Sequence, residues 1–263
     1  IHTSFKIKPG LLIKTNIQKS AISTFDQIQR GVKGSLPHVR TDLRNYLNVS
    51  KARINELTLL SYYKLPNSIY GRFSLGYLES MYAGASSELL YSPNKSRVSL
   101  GAELNYVKAR GYDQRFALRE LKGLSNINGH ISGYWDTGYY DYLAKLDVGK
   151  YLAGDKGGTF TLSRNFSNGW KVGGYFTLTD ATFTEFGEGS FDKGIFMSIP
   201  FNSIIPMETS HVVYENIRPI QGDGGSRLGV NDRLYDMVAP YNKNQIDKIQ
   251  SILTQQILLR NHQ

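Results

Sequence analysis

The 263 residues carry a formal charge of +9 and no cysteine, which excludes disulfide scaffolds, thiolate zinc sites and cysteine nucleophiles. No run approaches the ~18 consecutive apolar residues of a membrane helix. That excludes helical spans but leaves open a β-barrel, whose strands show only alternation. The 31 basic residues are dispersed rather than gathered in a block, so no nucleic-acid-reading module is expected.

The chain opens on Ile1 without a signal-peptide pattern, as expected of either a processed protein or the C-terminal piece of a longer one. A first strand is predicted over 8–18, within the strand-like sequence from Phe5 to Ile17. In the segment near 37–47, Val39, Leu43, Tyr46 and Leu47 recur at helical spacing, which predicts a short capping or plug helix. From 51 to 218 the period is two. Val98, Leu100, Ala102, Leu104 and Tyr106 alternate with Arg97, Ser99, Gly101, Glu103 and Asn105. Tyr142, Ala144, Leu146 and Val148 alternate with Leu143, Lys145, Asp147 and Gly149, and Val172, Gly174, Phe176 and Leu178 with Lys171, Gly173, Tyr175 and Thr177. Successive side chains of a strand point to opposite faces, so each segment has an apolar and a polar side.

About ten strands result: 8–18, 53–64, 68–79, 84–91, 96–109, 127–136, 139–152, 157–166, 169–180 and 191–199, with 209–217 as an extra one. Most are about twice the ~5–6 residues of globular strands and reach the ~9–11 that a tilted transmembrane strand needs. The polar faces carry mid-strand charges (Arg72, Glu103, Lys145, Asp147), which suits a wet lumen. The apolar faces carry Tyr77, Tyr106, Tyr140 and Trp170 near strand ends, where aromatic girdles sit. The expected fold is all-β, an antiparallel transmembrane β-barrel; on pattern alone a soluble sandwich with one solvated face competes with it. Residues 1–218 would form part of it, and 219–263 a tail with an amphipathic helix over 242–259, where Ile246, Ile249, Leu253 and Ile257 recur at helical spacing.

No catalytic or metal motif emerges. The five histidines are scattered without ligand spacing. The glycines of Gly149 to Gly154 have phosphate-loop spacing, but Asp155 stands where lysine is required, so a hairpin turn is expected. No cofactor is expected. Arg40, Arg72, Glu79 and Glu103 are read as a charge network paired across the lumen.

Five strings go beyond pattern: Leu36 to Asp42, Tyr70 to Gly84, Val148 to Asp155, Glu185 to Gly194, and Arg218 to Leu228. Together, from about residue 8 to 236, the chain resembles the C-terminal portion of the YjbH/GfcD-type exopolysaccharide and group 4 capsule outer-membrane proteins. The resemblance implies an outer-membrane β-barrel of a Gram-negative bacterium. Such a protein would assist export or surface assembly of a polysaccharide, with periplasmic and lipoprotein partners and no established enzymatic activity. The motif charges it carries over are Arg40, Asp42, Glu79, Asp192, Lys193, Arg218, Asp223 and Arg227; together with Arg72 and Glu103 they are the candidate polysaccharide contacts. Competing readings are a glycan-modifying barrel enzyme, with Glu79 and Glu103 as its acids, and a general diffusion porin.

Overall fold

A computed structural model describes residues 2–19, 35–47, 52–186, 191–200, 212–217 and 222–242. Within them the chain is all-β and forms one antiparallel sheet of thirteen strands. They are β1 (His2–Lys8), β2 (Leu11–Gln18), β3 (Arg53–Leu65), β4 (Ile69–Tyr77), β5 (Tyr82–Tyr91), β6 (Val98–Arg110), β7 (Leu118–Arg119), β8 (Ile127–Asp136), β9 (Tyr142–Lys150), β10 (Lys156–Asn165), β11 (Lys171–Thr179), β12 (Asp192–Pro200) and β13 (Val212–Ile217). Each pairs with its predecessor except β8, which skips the two-residue β7 and pairs with β6, while β7 adds to the end of β6. Three helical turns accompany the sheet: α1 (Leu43–Leu47), α2 (Phe183–Phe186) and α3 (Leu234–Val238), the last running into a 3-10 turn at Ala239–Tyr241. The expected helix over 242–259 lies outside the described residues apart from Asn242.

Two elements differ from expectation. The strand predicted from residue 8 is the second arm of a hairpin, because Pro9-Gly10 turns the chain and pairs Lys8 with Leu11. Gly10 sits at φ +77, a conformation that side chains disfavour. The helix predicted near 37–47 is confined to Leu43–Leu47.

Burial across the sheet is inverted relative to a soluble fold. On the inner face Arg72, Ser74, Ser86, Glu88, Glu103, Asn105, Asn128, His130, Ser132, Asp147 and Thr177 are buried. On the outer face Leu104, Ile131 and Trp135 are 62%, 69% and 54% exposed, and Leu75, Leu100, Val148, Phe176, Leu178 and Ile195 accompany them. Register fixes both sets. Arg72, Glu88, Glu103 and His130 are successive cross-strand neighbours on β4, β5, β6 and β8, as Leu104, Gly129 and Tyr106, Ile127 are on the other side.

Residues 222–242 bury the inner face. They enter beside the β9–β10 turn, where the Leu152 N–H donates to the Ser226 carbonyl. They leave at the opposite end of the strands, where Asn242 Nδ2 donates to the Pro93 and Ser96 carbonyls. Gly225 packs so closely on Thr177 of β11 that an added methyl would lie 2.6 Å from its Cγ2, while Asp232 pairs with Lys14 of β2. Laid flat, the strands from β2 to β11 would stand about 38 Å apart at ~4.8 Å per interval. Residues 225–232 reach at most about 25 Å even fully extended. The sheet is therefore strongly curved around this thread. Among the described residues no ladder joins β1 to β13.

Apolar clusters sit at both ends of the concavity. Val39, Tyr46, Leu78, Met81, Tyr82, Val107, Leu152 and Leu228 close one end. Leu90, Tyr134 and Leu234 pack with Tyr62, Tyr70 and Val238 near the other. The central charges lie between them, and Arg40 reaches Met81 and Tyr82 of the first cluster.

Candidate functional site

The central cluster follows from register. Alternation puts Arg72, Glu88 and Glu103 side by side on adjacent strands, and two facing carboxylates would repel unless cations intervene. Three arginines do so. Arg72 Nε stands 3.0 Å from Glu88 Oε2, an ion contact without hydrogen-bond alignment, and its Nη2 is 3.9 Å from Glu103. From the thread, Arg233 Nε donates to Glu103 Oε2 at 2.9 Å, and Arg227 reaches Glu103 at 3.4 Å and Asp147 at 2.7 Å. Ser132 and Lys145 also hold Asp147, at 2.5 and 2.9 Å. The Leu234 N–H, at the start of α3, donates to Glu88, and Asn231 donates to Glu56 at 2.8 Å. Removing one member of such a buried set strands its partner in a poorly solvated site, which is why these charges occur together.

A second cluster lies where the thread enters. Arg40 Nη1 donates to Glu79 at 2.9 Å and its Nη2 to the Arg227 carbonyl at 2.7 Å. Asp223 accepts from the Arg40 and Thr41 N–H groups at 2.7 and 3.0 Å and from the Thr41 hydroxyl at 2.8 Å. Burial works against the Arg40 charge, and Glu79 outweighs it, so the guanidinium is held above its usual pKa. Asp42 accepts from the Tyr112 hydroxyl at 2.9 Å and from Arg119 at 3.1 Å. Beside them Asp155 accepts the Gly225 N–H at 2.7 Å; burial raises its carboxyl pKa, and the backbone N–H offsets this only in part.

Of the residues singled out from sequence, Arg72, Glu103 and Arg227 meet in the central cluster, and Arg40, Glu79 and Asp223 at the entry, with Asp42 alongside. Arg227 joins the two through its carbonyl and its guanidinium. Asp192 and Lys193 begin β12, where Asp192 lies against Gly225 of the thread. They take opposite faces, Asp192 opposite Thr177 inside and the exposed Lys193 opposite Phe176 outside, where its ammonium lies 4.5 Å from the Phe191 ring centre. Arg218 lies outside the described residues. Sequence reasoning missed Glu88, Asn231 and Arg233. Glu88 shares the inner face of β5 and was legible from alternation, whereas Asn231 and Arg233 belong to a segment with no period to read. Among the described residues no group of three His, Asp or Glu is placed to hold a metal ion, and no helix is long and apolar enough to cross a membrane.

Residues 1–240 match the family described as exopolysaccharide biosynthesis protein YbjH. An uncharacterized lipoprotein YjbH of Escherichia coli (strain K12) is 38% identical over 210 residues, which cover 80% of this chain and 30% of that protein. The chain thus spans about a third of the length of the relative it matches. No solved structure matches it. The matched region takes in every strand and most of the thread, and on that ground the chain belongs to the YjbH exopolysaccharide biosynthesis family.

Proposed function

We propose that this chain is part of an outer-membrane β-barrel that assists export or surface assembly of an exopolysaccharide without catalysing a reaction. The observation that carries the reading is the inverted sheet: charges, amides and hydroxyls buried inside, large aliphatic and aromatic side chains presented outside. A contiguous apolar surface across this many strands far exceeds the few hundred Å² that soluble monomers expose, and it suits hydrocarbon. Family membership supplies the polysaccharide connection. Glu79 and Glu103, the acids an enzyme would need, are held by Arg40 and by Arg233 and Arg227 beneath the thread, which favours a structural role for both. The same thread fills the space through which a diffusion porin would conduct. Fractionating cell envelopes on a density gradient tests the reading: the protein should band with the outer membrane, and deleting it should lower surface or secreted polysaccharide. Recovery with the cytoplasm, or unchanged polysaccharide, would overturn it.

A further inference from the structure

The thread does not fill the concavity evenly. At its exit end a cavity of about 230 Å³ lies between α3 and the first hairpin, lined by Ser4, Lys6, Lys8, Lys14, Tyr62 and Asp232. A neighbouring hollow, of about 320 Å³, shares Tyr62 and Met237 and adds Lys64 and Tyr70. Register puts Ser4 opposite Lys14, Lys64 opposite Tyr70, and Tyr62 opposite Arg72, so these side chains belong to the inner face.

Lys6, Lys8 and Lys14 line the first hollow and Lys64 the second. Lys14 pairs with Asp232, whereas among the described residues no carboxylate pairs with Lys6 or Lys8. Lys64 lies 5.9 Å from the ring centre of Tyr70. Asp232 is the informative residue. It holds φ at +55, an unfavourable backbone for most side chains, and from there delivers one carboxylate to the lysine row. The thread thus already satisfies one lysine with the chemical group that the others lack.

We propose that this groove binds a carboxylate-bearing polysaccharide, its acid groups on Lys6, Lys8 and Lys14 and its sugar rings against Tyr62 and Tyr70, with Asp232 as the built-in competitor. The inference rests on the export reading and names the substrate class. An anionic lipid headgroup is disfavoured as the occupant because the groove opens on the inner face, away from the apolar exterior. Flat aromatic surfaces beside cations suit a pyranose acid better than a bare phosphate.

The test uses the full chain in detergent micelles, titrated with an oligogalacturonate and with a neutral dextran oligomer of equal length. We expect galacturonate to bind and dextran not to. Lys6→Gln with Lys8→Gln should weaken galacturonate binding about tenfold, since two partly exposed ion pairs are lost. Arginine at both positions should restore it. Asp232→Asn keeps a side chain that tolerates this backbone and frees Lys14, so it should tighten binding severalfold. Equal binding of dextran, or affinity indifferent to both sets of variants, overturns the inference. Polysaccharide output of a deletion strain is measured in parallel. Lost output without galacturonate binding refutes the acid groove and leaves the export reading standing, and binding with unchanged output refutes the export reading alone.

Discussion

Asp155 shows how a single buried carboxylate can work against its own fold. Its pKa is raised above the usual 3.8 because burial penalises the charge more than the Gly225 N–H rewards it. The folded chain therefore binds this proton more tightly than the unfolded chain. The associated stability is fully present below the ordinary carboxylate value and is lost as pH rises through the raised one. At pH 7 the ionised group is a liability. Asp155→Asn keeps an oxygen for Gly225 and removes the charge. The variant should equal or exceed the parent in its urea midpoint at pH 7, and the gap should narrow or reverse at pH 4. A lower midpoint at both values would show that the carboxylate itself is required. Glycine at 71 and 194 serves a different purpose: the rings of Tyr63 and Tyr175 lie across them on the neighbouring strands, where any side chain would collide.

At the level of elements, strands and thread obey different rules, and only the strands could be read from sequence. A wall between two unlike environments forces period two, so β6, β9 and β11 emerge from alternation alone, with Glu103, Lys145 and Asp147 on the inward side. The first hairpin was missed although Pro9-Gly10 is a turn signal, because a run of strand-like residues on both sides masked it. The thread has no period. It takes its conformation from the walls it touches, through glycines at 222, 224, 225 and 229 and arginines at 227 and 233, and in sequence it resembles a polar tail. Those two arginines carry its charge contacts to the Glu103 and Asp147 carboxylates. Arg227→Met with Arg233→Met leaves Glu103 with the Asn105 amide at 3.1 Å and the 3.9 Å contact to Arg72, and Asp147 with Lys145 and Ser132. Losing one partner of a buried pair costs about 3–5 kcal/mol. The double variant should unfold at markedly lower urea and, in planar bilayers, show conductance steps that the parent lacks. Unchanged conductance would mean that other contacts hold the thread in place.

At the scale of the molecule, the question is what covers the outer face, and one substitution can decide it. Ile131 lies on β8, near the middle of the sheet, paired with Ala102 and Val148 on the outer side, and is 69% exposed. If that side met water, arginine there would be harmless, because exposed surface substitutions away from special features change stability by only about 0.5 kcal/mol. If it meets hydrocarbon, an arginine near the midplane costs about 2–4 kcal/mol, and the cost shrinks toward the interfaces. The same exchange at Tyr106, near the end of β6 and on the same face, provides the comparison, since a charge there can reach the headgroups. Folding into phospholipid vesicles, followed by urea titration, should give a large loss for Ile131→Arg and a smaller one for Tyr106→Arg. Equal and negligible losses at both sites would mean that the apolar wall faces another protein layer or water, and the barrel reading would have to be abandoned. A gradient with depth ties the inverted burial of the sheet to a bilayer, because a protein partner has no reason to penalise charge according to distance from a midplane.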